Sequence, residues 1–286
     1  MIAPTRNDEL KIPMTNSTKV WLFIASLSLA SLFVGYHFGD RLGLFLGFLF
    51  AVTLNLLIFL FGDTQLLKRM KAERLMGQDP WGLNELAAKY SRSVGLPTPD
   101  VYLTEHATAA AFSCSHAWSQ GSICLSTGLL KKFSSAEIAA VIAYEVCQIR
   151  NLDSFVLGVT GNIANSLIGV AQWLDQFWPF SQRHSQKPFV TMLSPLAWIV
   201  IYLSVTKRNY YANDDMASGL LPDRQILAEA LWKLEGLSSS SPMDVPPCSY
   251  HLFIVNPLGL KKKNWFFLFH PKIENRIRRL VGHFPL

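Results

Sequence analysis

The sequence is poor in charged residues and has no cysteine pair at metal-binding spacing. Asp, Glu, Lys and Arg make up 16% of its 286 residues, against about 25% in an average soluble domain. Its four cysteines, Cys114, Cys124, Cys147 and Cys248, form no C-x-x-C pair. These features exclude a disordered chain and a small disulfide-stapled domain. Because hydrophobic residues reach 50%, an ordinary soluble enzyme is also disfavoured.

Two uncharged runs near the N-terminus are long enough to cross a membrane. Residues 20–39 and 42–61 contain no Asp, Glu, Lys or Arg, and each would span roughly 30 Å as a helix. Only Asp40 and Arg41 separate them. We therefore predict a transmembrane hairpin over residues 19–61, preceded by a polar lead over residues 1–18. A cleaved signal peptide is the alternative for the first run, but its length and the second run disfavour it.

Two later runs, 154–174 and 190–206, are weaker candidates for a second membrane pair over residues 154–206. The first contains Asn162, Asn165 and Gln172, and the second is interrupted by Pro195. Two helices buried in protein would give the same pattern, so four spans and two spans both remain open.

The positive charges indicate the orientation. If the N-terminus, residues 62–153 and residues 207–286 share one side, that side holds all but three of the 26 Lys and Arg. The positive-inside rule then places this polar domain in the cytoplasm. The net charge of +6 thus follows from the orientation of the chain in a lipid bilayer, its predicted partner. Binding to nucleic acid is not needed to explain it.

The polar part reads as a mostly helical α+β domain. Helices are predicted at residues 77–95, 223–236 and 271–281, a helical turn at 127–133, and strands at 101–103, 111–118 and 122–125. A loop rich in Ser and Pro is predicted at 238–247. Ser134 followed by Glu137 forms a capping-box pattern, which predicts a long helix from about Ser135.

The predicted long helix also contains the main motif. Ala143, Glu145, Asn151 and Asp153 stand at the spacing of the motif A-H-E-x-x-H-x-x-N-x-D, while Tyr144 and Gln148 stand at its two histidine positions. This segment resembles the zinc helix of the HtpX-like membrane metallopeptidases, which are relatives of the CAAX prenyl protease. The resemblance matches Glu145 to the general base and Tyr144 and Gln148 to two zinc ligands.

Further matches occur in the same order along the chain, at residues 95–102, 110–113, 126–130, 208–213, 252–258 and 270–277. In the segment like R-E-Y-x-A-D, Asn209 replaces the glutamate that is the third zinc ligand, and Asn213 replaces the aspartate. The resemblance implies an HtpX-like metallopeptidase fold, with four transmembrane helices and a small β-sheet in a cytoplasmic domain. It also implies location in the bacterial cytoplasmic (inner) membrane.

The replaced residues suit zinc poorly. Tyr144 would have to lose a proton whose ordinary pKa is about 10, and Gln148 and Asn209 offer only neutral amide oxygens. We therefore predict that the chain binds no metal and no other cofactor, although members of the resembled family use zinc. Glu145, at the position of the general base, would then lack the metal ion that activates the attacking water.

The acid-to-amide changes suggest that a neutral polar cluster has taken the place of the metal. In this hypothesis Asn209 and Asn213, supported by Asp153, hydrogen-bond to Tyr144 or Gln148. Glu145 is then protonated, paired with Arg150 or Arg208, or turned to solvent.

Three functions remain open at this point. The first is an inactive pseudopeptidase that binds or scaffolds membrane proteins, as in membrane protein quality control. Its edge strand, formed by Ala110, Ala111, Phe112 and Ser113, would pair with extended membrane-protein segments or peptides. The second is an active membrane endopeptidase with unusual ligands, and the third is a structural membrane subunit.

Overall fold

The computed structural model describes residues 16–61, 64–116, 120–151, 153–177, 187–204, 207–245, 247–258 and 270–284. The chain divides into two compact units, residues 1–56 and 57–286, which we describe separately. Residues 1–15 of the predicted polar lead lie outside the described residues, as do residues 205 and 206 of the fourth predicted span.

The first unit is built from one long helix that turns back on itself. Helix α1 (Asn16–Phe61) loses helical geometry at Gly39 and Asp40, where Asp40 adopts a left-handed φ of 47°. This reversal falls beside the predicted break at Asp40 and Arg41. The two halves approach so closely that a methyl group on Gly35 would overlap the carbonyl of Gly43. Large apolar side chains, including Phe33 and Phe38, are exposed on its surface, as contact with lipid would require.

The second unit contains a four-stranded mixed sheet in the order β1-β2-β4-β3. Its strands are β1 (Glu73–Arg74), β2 (Asp100–Thr104), β3 (Ala111–His116) and β4 (Gln120–Ser126). Strand β2 runs parallel to β4, whereas β1 and β3 pair antiparallel with their neighbours. The sequence predicted β2, β3 and β4, and it missed β1, which is only two residues long. The predicted end of β3 at residues 117 and 118 lies outside the described residues.

Helices surround this sheet. They are α2 (Thr64–Arg69), α3 (Leu83–Ser93), α4 (Thr127–Lys132), α5 (Ser135–Arg150), α6 (Asp153–Gln176), α7 (Pro188–Ser204), α8 (Lys207–Leu220), α9 (Arg224–Ser240) and α10 (Ile273–Val281), with a 3₁₀ helix at Pro247–Leu252. The predicted capping box is confirmed, because Ser134 Oγ accepts from Glu137 N and the Glu137 carboxylate accepts from Ser134 N. The loop predicted from residue 238 is wrong at its start, since α9 continues to Ser240.

Among the described helices, one is long and apolar enough to cross a membrane. This is α6, of 24 residues, whereas α7 contributes a shorter apolar stretch, Pro188–Ile199. The carboxylate of Asp175 joins the two helices by accepting from Phe189 N at 2.9 Å and Val190 N at 3.1 Å. The chain is therefore mostly helical with a small mixed sheet, and four spans stay a prediction.

Helix α5 is the centre of the second unit. Its residues from Ala140 to Cys147 are fully buried, and it packs against α3, α8, α9 and the sheet. Burial on all sides follows from its sequence, in which apolar residues cover almost the whole helix surface. This position places the motif residues Tyr144, Glu145 and Gln148 inside protein.

Candidate functional site

The motif residues meet where α5 ends and α6 begins. Tyr144 and Glu145 are 0% exposed and Gln148 is 2% exposed, all on α5. Asp153 opens α6 and is 1% exposed, while the half-buried Asn209 comes from the first turn of α8. The candidate site is thus assembled from three helices, α5, α6 and α8.

Asp153 organises one half of the site, which we call the Asp153 cluster: Asn151, Asp153, Asn209 and Asn213. Asp153 Oδ1 accepts from Asn209 Nδ2 at 2.7 Å, and Oδ2 accepts from Asn213 Nδ2 at 2.9 Å. Asn151 Nδ2 in turn donates to Asn213 Oδ1 at 2.5 Å. The amides at positions 209 and 213 therefore surround a carboxylate with N–H donors, where two acids would repel it.

Tyr144 and Gln148 do not join these amides. Gln148 Nε2 donates to the Leu252 carbonyl at 3.2 Å, and the buried Tyr144 hydroxyl makes no hydrogen bond with the described residues. The predicted bonds from Asn209 or Asn213 to Tyr144 or Gln148 are therefore wrong. The reason is geometric, because α8 directs both amides towards the first residue of α6.

Glu145 lies in the other half of the site, near the Ser113 hydroxyl and the positive charge of Arg276. Neither carboxylate oxygen makes a hydrogen bond, and the nearby Ser113 hydroxyl is shared with Ser154 Oγ at 2.7 Å. Burial raises the pKa of Glu145 to about 8, with Ser113 and Arg276 lowering it only in part. Of the three predicted states, protonation is the one that this burial favours. Arg150 instead donates its Nε to Val94 O at 3.0 Å.

A buried arginine that the sequence reasoning did not single out supplies the positive charge. Arg276 on α10 is 0% exposed and forms a two-pronged ion pair with Asp214, with Nε–Oδ2 at 2.8 Å and Nη2–Oδ1 at 2.6 Å. Its guanidinium lies 5.2 Å from the centre of the Tyr144 ring, which suits a cation–π contact. The only sequence signal was its place in the matched segment 270–277.

These surroundings keep the site's protonation states simple. Burial raises the pKa of Tyr144 well above its ordinary value, and Arg276 offsets only part of that rise. Burial lowers the pKa of Arg276, but the Asp214 carboxylate, Tyr144 and Tyr210 together raise it by more, so the guanidinium stays charged. At neutral pH Tyr144 is therefore a neutral phenol beside a fixed cation.

The residues present do not fit zinc. Zinc in proteins is bound by thiolate, imidazole or carboxylate, whereas the three matched positions hold a neutral phenol and two amides whose N–H groups already donate to protein oxygens. The described part of the chain contains no group of three His, Cys, Asp or Glu placed to hold a metal. The buried His251 and the half-buried His270 each bond a backbone carbonyl at 2.9 Å.

The proposed edge strand lies at one end of the sheet and is covered. Ala110 N donates to Ser126 Oγ at 2.9 Å, and Ala111 O accepts from Ile254 N at 3.3 Å. Phe112 pairs antiparallel with Phe253, with ring centres 5.0 Å apart. Together with Ser113, all four edge residues are buried.

Comparison with known proteins gives consistent results. Residues 81–283 match the model of peptidase family M48. The chain is 31% identical over 276 residues to "Protease HtpX homolog" of Campylobacter curvus, covering 92% of this chain and 95% of that protein. It is 29% identical to "Protease HtpX" of Legionella pneumophila, covering 93% of this chain and 99% of that protein. It also resembles the crystal structure of S. mikatae Ste24p at 16% identity and a TM-score of 0.48, covering 93% of this chain and 65% of that one.

Proposed function

The chain belongs to peptidase family M48, and from that premise we propose that it is a metal-free, catalytically inactive member that binds or scaffolds membrane proteins. The relatives it matches are named proteases. The proposal therefore concerns how this chain departs from them.

One observation carries the proposal: two of the three side chains at the ligand positions donate hydrogen bonds to other protein groups. Gln148 holds the Leu252 carbonyl and Asn209 holds Asp153. In this class of enzyme, zinc makes its bound water acidic and stabilises the oxyanion that forms during peptide hydrolysis. Without a fitting donor set, none of the described residues at the site supplies a metal that could do either.

Glu145 cannot compensate. A general base must be ionised when it accepts a proton, and at a pKa of about 8 roughly ten Glu145 side chains are protonated for each ionised one at pH 7. The fully buried carboxyl group also has no hydrogen-bonded path to solvent among the described residues. This state supports a structural role for the residue that matches the base.

A membrane location supports the choice of partner. The exposed apolar surface of α1 and the apolar helix α6 fit a bilayer, and the charge asymmetry favours a cytoplasmic polar domain in the bacterial inner membrane. Extended segments of other membrane proteins would then meet the polar domain at that surface and add to the edge of β3.

The decisive test is metal content together with proteolysis. The purified full chain should hold zinc well below one atom per chain, also after incubation with zinc and removal of the excess. It should cleave an unfolded membrane protein no faster than its Glu145→Gln variant. Stoichiometric zinc with activity lost in Glu145→Gln would instead establish an active endopeptidase with unusual ligands.

The binding role needs a separate test. A photo-crosslinking amino acid at position 112, expressed in cells, should capture a membrane protein, and the same amino acid at the exposed position 229 on α9 serves as control. Capture at neither position would contradict peptide binding and favour the structural subunit.

A further inference from the structure

A short piece of the chain is held like a bound peptide beside the former metal site. Four consecutive carbonyls, those of residues 251–254, each accept a hydrogen bond from a side chain of a different segment. The donors, in that order, are Tyr210 Oη at 2.9 Å, Gln148 Nε2 at 3.2 Å, His270 Nε2 at 2.9 Å and Arg276 Nη1 at 2.7 Å. We call residues 251–254 the closing segment.

The closing segment also pairs with β3. Ile254 N donates to Ala111 O at 3.3 Å, and Phe253 lies opposite Phe112 in an antiparallel bridge. Residues 253 and 254, which follow the 3₁₀ helix, thus make one antiparallel pairing of the kind that an extended peptide makes when it adds to a sheet edge. The chain therefore places its own backbone where a partner strand would begin.

The rest of the edge is shielded as well. In an antiparallel strand, alternate residues direct their N–H and C=O groups to the same side, so Ser113 and Ser115 share the side on which Ala111 meets Ile254. Ser113 is 0% exposed and Ser115 is 2% exposed. The closing segment occupies the Ala111 end of this side, so an incoming strand cannot pair there while this segment stays in place.

We propose that the closing segment is an internal occupant of the β3 edge, and that an extended partner binds only after this segment is released. The inference rests on the proposed binding function for its purpose, although the closure can be measured without any partner. Gln148 takes part directly, because the residue at a zinc-ligand position of the motif now donates to a peptide carbonyl. The position of Gln148, which holds a zinc ligand in the motif, thus helps to hold the closing segment in this chain.

The closed state is measured with a thiol reporter. The four native thiols are buried, so the parent chain gives the background reaction with a water-soluble maleimide. Ser115→Cys should react at least about tenfold more slowly than Ser93→Cys, an exposed position on α3, because reaction requires local opening. Equal rates would overturn the proposal.

Release is tested by removing one donor. Gln148→Leu keeps a comparable volume but cannot donate to Leu252 O, so labelling of Ser115→Cys should rise about tenfold while that of Ser93→Cys stays unchanged. The matched control is Leu231→Ala, a buried substitution on α9. No rise with Gln148→Leu, or an equal rise with Leu231→Ala, would show that the closing segment does not govern access.

A covalent lock links closure to binding. Directly opposed antiparallel residues that share no hydrogen bonds have Cα atoms about 4.5 Å apart, so Phe112→Cys with Phe253→Cys should form a disulfide. Oxidation should abolish capture from a photo-crosslinker at position 115, and dithiothreitol should restore it. If the oxidised, disulfide-locked variant still captures a partner as well as the reduced one, the closure proposal is wrong. If Ser115→Cys is labelled slowly but no partner is captured even after the closing segment is released, closure is retained and the proposed binding function is wrong.

Discussion

The two halves of the candidate site differ in how their polar groups are paired. In the Asp153 cluster both oxygens of the carboxylate accept from amides. In the other half, the Tyr144 hydroxyl and both Glu145 oxygens are buried without a hydrogen bond. Asp153 is as deeply buried as Tyr144 and Glu145, so the difference lies in the partners that the neighbouring helices supply.

This contrast shows that the side chains supplied by α8 and by α5 have different physical consequences. On α8, the amides of Asn209 and Asn213 supply donors for the Asp153 carboxylate. On α5, the Tyr144 hydroxyl meets no acceptor among the described residues, and burial favours the neutral form of Glu145. Stability measurements can separate the two halves.

The largest expected loss of stability comes from removing Arg276, the cation that lies over the Tyr144 ring. Arg276→Met leaves Asp214 buried and unpaired, and breaking such a pair should cost about 3–5 kcal/mol. The control is Arg279→Met, because Arg279 and Asp215 form an ion pair at 2.7 Å that is about half exposed. Its loss should cost no more than about 1 kcal/mol. Thermal unfolding of both variants in the same detergent measures the difference, and similar losses would contradict the buried pair.

Next in size is the loss of the acceptor in the Asp153 cluster. Asp153→Ala removes two hydrogen bonds to a charged group and leaves buried amide donors, which should cost about 2–4 kcal/mol. Asp153→Asn, which keeps one acceptor oxygen, should cost less. A melting temperature for Asp153→Ala equal to that of the parent would show that the cluster is not stabilising.

The buried Glu145 should make the free energy of unfolding depend on pH. Its pKa is raised from 4.5 to about 8, so between these values the native state keeps a proton that the unfolded state loses. Stability from this group is full below pH 4.5, falls by about 1.4 kcal/mol per pH unit up to about pH 8, and is then constant. Glu145→Gln removes this loss.

We therefore expect the melting temperature of Glu145→Gln to exceed that of the parent by roughly 5 °C or more at pH 8.5, with a much smaller gap at pH 5. The exposed Glu105 provides the control, since Glu105→Gln should show no gap at either pH. A gap independent of pH would mean that Glu145 is not held protonated.

The smallest effect compares two buried tyrosines. Tyr210→Phe removes the hydrogen bond from Tyr210 Oη to His251 O and should cost about 1 kcal/mol. Tyr144→Phe removes a hydroxyl without a partner and should be neutral or slightly stabilising, within about 1 kcal/mol. If Tyr144→Phe destabilises more than Tyr210→Phe, the Tyr144 hydroxyl has an acceptor, and the contrast between the two halves disappears.

Local patterns predicted much of the fold. The Ser134–Glu137 capping box fixed the start of α5, and the strands near residues 101, 111 and 122 lie where alternation and turns placed them. Local signals also limited the prediction. Nothing near Ser238 indicates that α9 continues to Ser240, because the buried Ser238 is covered by distant parts of the chain.

The sequence did not predict how the residues of the candidate site are connected. The resemblance singled out Tyr144, Gln148 and Asn209, but it did not indicate that Asn209 donates to Asp153. Arg276 pairs with Asp214 across 62 positions, and Gln148 reaches Leu252 across 104. Such contacts depend on how helices pack, and neither periodicity nor spacing contains that information.

The close approach of Gly35 and Gly43 in α1 has a consequence for how this segment would enter a bilayer. Backbone touches backbone there, so an acyl chain could not pass between the two halves at that level. The two halves of α1 would therefore enter the bilayer together as a packed hairpin, because either half alone would lose this backbone contact. A larger side chain at Gly43 would push the two halves apart near their middle.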